Sequence, residues 1–369
     1  MPSMKLRRDD VIVGVDTHKD EHVAVLLDGL GGRLAELFIP ATLAGFATLL
    51  SFSRDHVGSE GSLIAFGVEG TGSYGIGLAR FLRRHGVTVH EVHRPPRKGE
   101  RRLSGKSDTI DAEHAARQVL TGRRAPVPKT AAGAVEALRL IKIARDTAVK
   151  ARSSAMIALK ATLVTATEDL RGELEPLTDY QLITACAALE PGTGELSNPD
   201  AAMRHVLRSL ARRWLELHDE IKTHSRHLKA QTRQAAPQLV EAVGIGLDIA
   251  AEMLVTAGDN NDRVRSESAF AKLCGASPIP AGSGKTNGRH RLNRGGNRQA
   301  NAALYRAIIV RMRWHQPTID YVTRRTAEGR SKREIIRCLK RYLAREIYRL
   351  LPPPSPAAEP DSSPLPQVA

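Results

Sequence analysis

Residues 11–16 read VIVGVD, and this run decides the fold together with its successors: VAVLLD at 23–28, a glycine-rich turn holding Gly29, Gly31 and Gly32, then RLAELFIP at 33–40. Short β-rich runs with tight connections predict three successive strands. The period then changes. Helical spacing from Thr42 to His56, an apolar run from Leu63 to Val68, a second helical stretch from Ser73 to His85, a strand from Val87 to Val92 and a helix from Asp108 to Leu120 complete the order βββαβαβα. A meander that continues as alternating helix and strand predicts an α/β domain, a mixed sheet flanked by helices, over residues 1–125.

That order is similar to the ribonuclease H and RuvC-like nucleases. Asp16 closes the first strand and Glu69 closes the fourth, LIAFGVE, so a sheet can set the two side by side at one end. Asp108 and Asp111 stand three apart in GKSDTIDAEHAAR, at the start of a helix, and project from nearly the same face. Singly, each has an ordinary role: Asp16 can close a turn, Glu69 can be a surface charge, and Asp108 can cap a helix. Together they would repel one another without cations. Hard oxygen ligands at this density suit Mg²⁺ or Mn²⁺, with two ions about 4 Å apart in the two-metal scheme for phosphodiester chemistry. Thr71, Ser73 and Tyr74 read as polar loop residues beside this cluster, and Arg94, Arg97, Lys98, Arg101, Arg102 and Lys106 form a basic loop suited to a nucleic-acid backbone.

Composition points the same way. The 369 residues carry 55 Lys+Arg against 40 Asp+Glu, a formal charge of +15, which predicts a polyanionic partner. Aromatic residues at 4% argue against a base-stacking reader. The apolar runs fall short of the roughly 20 residues that a membrane span needs, so no membrane association is expected. MPSMKLRRDD leads into the first strand without a signal segment, so a cytoplasmic place is expected. Cys186, Cys274 and Cys338 lack any ligand or disulfide spacing and are expected to be packing residues.

After the stretch Arg123 to Lys129, residues 130–236 turn helical. Met203, Leu207, Leu210, Trp214, Leu217, Ile221, His224 and Leu228 alternate spacings of four and three, which predicts an antiparallel helical pair or an intermolecular coiled coil. His224 on that seam reads as a packing residue rather than a catalytic one. Residues 237–351 form a basic, mainly α region. In LVEAVGIGLDIAAEMLVTAGD, Gly244-Ile245-Gly246 resembles the turn of a helix-hairpin-helix, whose backbone N–H groups can meet a phosphate; a plain helical turn fits equally well. A last amphipathic helix sets Ile335, Ile336, Leu339, Leu343, Ile347 and Leu350 opposite Lys332, Arg333, Arg337, Lys340, Arg341, Arg345 and Arg349, a basic face expected to meet phosphate. The Pro/Ser-rich tail, residues 352–369, is expected to be disordered.

Between these lies CGASPIPAGSGKTNGRHRLNRGGNRQAN. GSGKT is not a P-loop, because position 279, where Walker A needs glycine, is Ile. Ser283 instead sits between two glycines, with Lys285, Arg289, His290, Arg291, Arg294 and Arg298 close in sequence. Cations of this kind would stabilise charge developing on a phosphate attacked by the hydroxyl. A Gly-Ser turn in a basic loop is the plain alternative.

From GVDTHKD through GVEGTGSYG and KSDTIDAEHAAR to GASPIPAGSGKTN and RGGNRQANAAL, the chain resembles the DEDD-type transposases of the insertion sequence 110 family, relatives of the Piv DNA invertases. The resemblance implies an acidic tetrad at Asp16, Glu69, Asp108 and Asp111 in a RuvC-like domain, a coiled-coil insertion, and a C-terminal transposase domain with Ser283 as nucleophile. Many members have two adjacent serines there; this chain has Gly282 first, which leaves Ser277 as the competitor. It further implies donor and target DNA as substrates, a noncoding bridge RNA as guide, and assembly as a dimer or tetramer. The function expected is Mg²⁺-dependent strand cleavage and exchange through a phosphoserine. The alternatives are a RuvC-like structure-specific endonuclease that uses water, and a non-catalytic nucleic-acid binder.

Overall fold

Alternation of side chains explains how the N-terminal sheet is covered on both faces. The computed structural model describes residues 6–92, 107–121, 126–190, 196–280, 282, 290–292 and 295–353. Five strands, β1 (Val11–Thr17), β2 (Glu21–Asp28), β3 (Arg33–Pro40), β4 (Leu63–Glu69) and β5 (Val89–Val92), lie in the order β3-β2-β1-β4-β5. The meander pairs antiparallel, while β1 with β4 and β4 with β5 are parallel, so the sheet is mixed. Val11, Val13 and Val15 of β1 pack with Phe66 and Val68 of β4 under α1 (Leu43–Asp55) and α2 (Ile76–Arg84). Ile12, Val25 and Leu27 point the other way, into a second core with Ala112 and Ala116 of α3 (Asp108–Leu120). A central strand buried on both faces reads as an unbroken apolar run, as VIVGV does. This architecture fits the expected RuvC-like α/β fold.

Two local departures from the expected pattern have physical reasons. The second helix starts at Ile76 rather than Ser73, because Ser73 and Gly75 both donate backbone N–H groups to the Gly70 carbonyl, at 2.8 and 3.1 Å, and close a turn first. Gly70 takes φ +65° there, a left-handed conformation that favours glycine. The register between β1 and β4 also slips once, between Val11 and Ile12, opposite Ile64. Ile64 thereby joins the α3-side core, and downstream Phe66 and Val68 face α1 and α2. Gly67 and Glu69 are left facing α3.

The chain forms two compact units, one of residues up to Ala131 with Gly258–Arg265, the other of Ala132–Ala257 with Ser266–Pro352. In the second, α4 (Ala134–Leu163) and α7 (Pro199–Ala235) run antiparallel. Arg145 reaches Ser225, Arg152 meets Trp214 and His218, and Leu159 and Leu163 share a core with Leu207 and Ala211. Two short helices, α5 (Glu168–Leu174) and α6 (Asp179–Ala188), fill the same core with Leu170, Leu174, Leu182 and Ile183. His224 is half-buried on α7, its Nε2 3.4 Å from Glu220 of the same helix.

The remaining elements are α8 (Pro237–Glu241), α9 (Leu247–Ala257), α10 (Glu267–Leu273), the paired strands β6 (Pro278–Pro280) and β7 (His290–Leu292), α11 (Arg298–Trp314), α12 (Gln316–Ala327) and α13 (Lys332–Leu350). Ser331 and Glu334 cap α13 reciprocally, and Ile335, Ile336, Leu339, Leu343 and Ile347 are buried. Burial pushes the Cys186 thiol up to about 11 and the Cys274 thiol up to about 12, so both are inert packing groups at neutral pH. Among the described residues, no helix is long and apolar enough to cross a membrane.

Candidate active site

Close approach of α3 to the sheet builds the acidic cluster. Gly14 on β1 and Gly67 on β4 are register partners, and both lie beneath α3. A Cβ on Gly14 would overlap the Ala112 carbonyl and the Ala116 nitrogen, and one on Gly67 would come within 2.7 Å of the Ala115 carbonyl. Two glycines under three alanines therefore let the helix backbone rest on the strands. Asp16 lies two residues beyond Gly14 and Glu69 two beyond Gly67, so both carboxylates emerge on the α3 side.

Asp108 and Asp111 occupy the first turn of α3. Carboxylates are favoured at that positive end of the helix dipole. Asp16 is buried, and burial is the leading cause that raises its pKa; His18 opposes the shift, while Glu69, Asp111 and Asp108 each add to it. Asp16 thus lies within electrostatic reach of each of the other three predicted acids. Thr17 anchors the pair of strand ends by donating its hydroxyl to the Glu69 carbonyl at 2.9 Å.

One residue beyond the four predicted acids stands among them. His18 begins the β1–β2 hairpin, its backbone N–H donating to the Glu21 carbonyl at 3.1 Å. Its Nε2 lies 3.2 Å from Asp16 Oδ2 and 3.5 Å from Asp108 Oδ2. Asp16, His18 and Asp108 each offer one ligand atom, and these lie within 4.8 Å of one another. The signal was available in GVDTHKD: residues two apart at a strand end share a face.

The serine region has a well-defined root. Asn297 N–H donates to the Leu273 carbonyl at 2.7 Å, and its side chain caps α11 by accepting from Gln299 and Ala300. Gly296, at φ +98°, lies so close to Gly275 and Lys272 that a Cβ would meet the Gly275 nitrogen at 2.6 Å. Asn301 Nδ2 donates to the carbonyls of Gly275 (2.8 Å) and Cys274 (3.2 Å), and Lys340 Nζ donates to Asn301 Oδ1 at 2.8 Å. From this root the β6–β7 ribbon leaves, with Ser277 half-buried just before β6, His290 exposed on β7, and Arg298 exposed at the start of α11. Arg291 belongs to β7. Ser283, Lys285, Arg289 and Arg294 lie outside the described residues, as do Arg94, Arg97, Lys98, Arg101, Arg102, Lys106 and most of the 352–369 tail.

The basic face expected on α13 needs correction. Lys340 is buried against α11 and over the Tyr305 ring, 5.4 Å from its centroid, and burial, then Arg337, lowers its pKa. Arg341 and Arg345 pair with Glu267 at 3.3 and 2.8 Å. Lys332, Arg333, Arg337 and Arg349 are the members of that face exposed to solvent.

Comparison with known proteins agrees with the geometry. Residues 13–167 match a family model of DEDD IS110 type described as "Transposase", and residues 236–323 match "Transposase IS116/IS110/IS902 family". The chain belongs to the IS110 family of transposases. The transposase is 23% identical to the insertion element IS116 uncharacterized 44.8 kDa protein of Streptomyces clavuligerus, over 94% of this chain and 96% of that protein. It is 26% identical to the insertion element IS110 uncharacterized 43.6 kDa protein of Streptomyces coelicolor, over 44% of this chain and 38% of that protein. Membership implies DNA as substrate and divalent cations as cofactors. The site fits such ions: Asp16, His18 and Asp108 each offer a ligand atom within 4.8 Å of the others, and the nearby acidic charges disfavour that of Asp16, a conflict that a cation relieves.

Proposed function

We propose that this transposase cuts and exchanges DNA strands through a covalent phosphoserine, with Asp16, Glu69, Asp108 and Asp111 as the catalytic acids and Ser283 as the nucleophile. The observation that carries the proposal is Asp16 at the end of β1, with the charges of Glu69 at the end of β4 and of Asp108 and Asp111 in the first turn of α3 acting on it. Those residues would hold Mg²⁺ or Mn²⁺, which supplies Lewis acidity toward the phosphate oxygens. Ser283 Oγ would form a bond to phosphorus as the P–O bond to one strand breaks, and the serine proton would end on the departing strand's hydroxyl. The β6–β7 ribbon supports this reading, since Ser283 falls between its two strands in the sequence and the ribbon leaves a root fixed by Asn297 and Asn301. Ser277 precedes the ribbon, half-buried, and is the less suitable candidate.

The basic residues Arg97, Lys98, Arg101, Arg102 and Lys106, and Lys285, Arg289, Arg291, Arg294 and Arg298, would carry the nucleic-acid backbone, consistent with the charge of +15. In this reading a bridge RNA pairs with donor and target, so base pairing rather than a protein code supplies specificity. The heptad-spaced α7 would support a supercoiled helical arm that joins subunits. The Gly244–Gly246 turn would serve as a helix-hairpin-helix contact to phosphate.

The test is to incubate protein, element-junction DNA, target DNA and flanking RNA with Mg²⁺ or EDTA and look for protein–DNA adducts that survive denaturant. An adduct that needs the metal and vanishes in both Ser283→Ala and Asp16→Ala is expected. Metal-dependent nicking that persists in Ser283→Ala without any adduct would instead establish a water-using nuclease.

A further inference from the structure

The four acids supply only oxygen, yet a nitrogen stands close to both Asp16 and Asp108. His18 Nε2 lies 3.2 Å from Asp16 Oδ2 and 3.5 Å from Asp108 Oδ2. Adjacent ligands on an ion with bonds of about 2.1 Å sit roughly 3 Å apart, close to both separations. A hydrogen bond explains the pair less well, because one Nε2–H aims at one acceptor and leaves the other carboxylate without it.

The position of His18 is also fixed from both sides. Its own N–H is bonded to the Glu21 carbonyl across the hairpin, and the preceding Thr17 is tied to Glu69. The side chain is 49% exposed, so an ion can reach it from solvent. Imidazole is not indifferent to the ion it meets. Mg²⁺ is held through oxygen and keeps its waters, whereas affinity at nitrogen ligands rises along the first transition row, starting from Mn²⁺.

We propose that His18 is a nitrogen ligand to the divalent cation at Asp16 and Asp108, and that it biases this transposase toward Mn²⁺ over Mg²⁺. The inference rests on the metal reading of the acidic cluster given above. It adds a residue outside the four acids and a preference between the two ions.

The test uses Mn²⁺ alone as probe on the full-length chain, without nucleic acid and without an activity readout. Electron spin echo spectroscopy of bound Mn²⁺ is expected to show ¹⁴N coupling in the wild type and none in His18→Ala or His18→Gln. Mn²⁺ affinity by EPR titration should fall roughly tenfold or more in both variants, with Mg²⁺ affinity, read by competition, affected far less. Melting temperatures in EDTA should be unchanged, and if a variant unfolds, the wild-type spectrum alone decides. Mn²⁺ bound to the wild type without ¹⁴N coupling, or coupling that survives in His18→Ala, would overturn the role of His18 while leaving the carboxylate site standing. Wild-type protein that binds no more Mn²⁺ than Asp16→Asn would overturn the metal site itself and the inference with it.

Discussion

At the end of β1 the acidic cluster is seated by sterics: Gly14 and Gly67 let the backbone of α3 rest on the sheet, with Ala112, Ala115 and Ala116 as the contact. At the root of the β6–β7 ribbon the seat is polar, made by Asn297, Asn301 and the buried Lys340. The difference lies in how each can fail. A backbone-on-backbone contact has no slack for volume but contains no polar partner to lose. At Asn297 and Asn301 the root is sensitive first to a missing donor or acceptor, and only at Gly296 does it share the backbone tightness of Gly14.

The largest effect should follow from Gly14→Val. The atoms its side chain would strike belong to the α3 backbone, so the helix must lift and carry Asp108 and Asp111 away from Asp16. Overpacking of this kind costs about 3 kcal/mol or more when no side chain can yield. Urea unfolding should show that loss, and Mn²⁺ titration should show the site gone. A variant with wild-type stability and wild-type metal binding would break the steric account.

Asn301→Ala should come next. It removes the donor to the Gly275 and Cys274 carbonyls and leaves Lys340 Nζ without its acceptor, at a cost of about 2–3 kcal/mol. Asn301→Leu restores volume but not polarity and should rescue nothing, while Mn²⁺ binding at the acids stays as in the wild type. Rescue by leucine would mean that the root is held by packing. Lys340→Met is expected to be milder, about 1 kcal/mol, because methionine removes the costly buried amine while leaving only Asn301 Oδ1 unpaired. Urea melts of the three variants, run side by side, rank these effects.

The same contrast explains what could be read from residues alone. The sheet was legible because alternating apolar runs and glycine-rich turns are local signals, and the acids fell at strand ends and a helix start. His18 was equally open to reading, two residues from Asp16 on one face, but an exposed histidine in a hairpin carries no signal until Asp108 arrives from α3. Lys340 misled for the opposite reason. It has the same helical spacing as its exposed neighbours on α13, and only the arrival of Asn301 and Tyr305 from α11 makes its flank an interior. The start of α2 at Ile76 likewise depended on Gly70 taking a left-handed turn that competes with helical spacing.

The smallest effect should come from a polar contact at the edge of the ribbon's unit, and it should depend on pH. Arg311 is buried, donates Nε to the Val243 carbonyl at 2.6 Å, and meets both carboxylate oxygens of Glu346 at 2.6 Å. Gly244 comes next at φ +75°, packed so closely that a Cβ would meet Arg311 Cγ at 2.9 Å, so the guanidinium pins the turn between α8 and α9. The Arg311 hydrogen bonds hold Glu346 below the usual carboxylate range, with the charges of Arg311 and His315 adding to the shift and burial opposing it. A depressed folded pKa stabilises above the unfolded value, and that stabilisation is lost as pH falls through the folded one. Glu346 is 42% exposed, so after solvent screening the contribution at neutral pH is under about 1 kcal/mol. Wild type should therefore exceed Glu346→Gln in urea unfolding at pH 7, with the gap closing once the pH drops below the usual glutamate range. A gap of equal size at both ends would show that glutamine disrupts the turn by shape and that charge contributes nothing there.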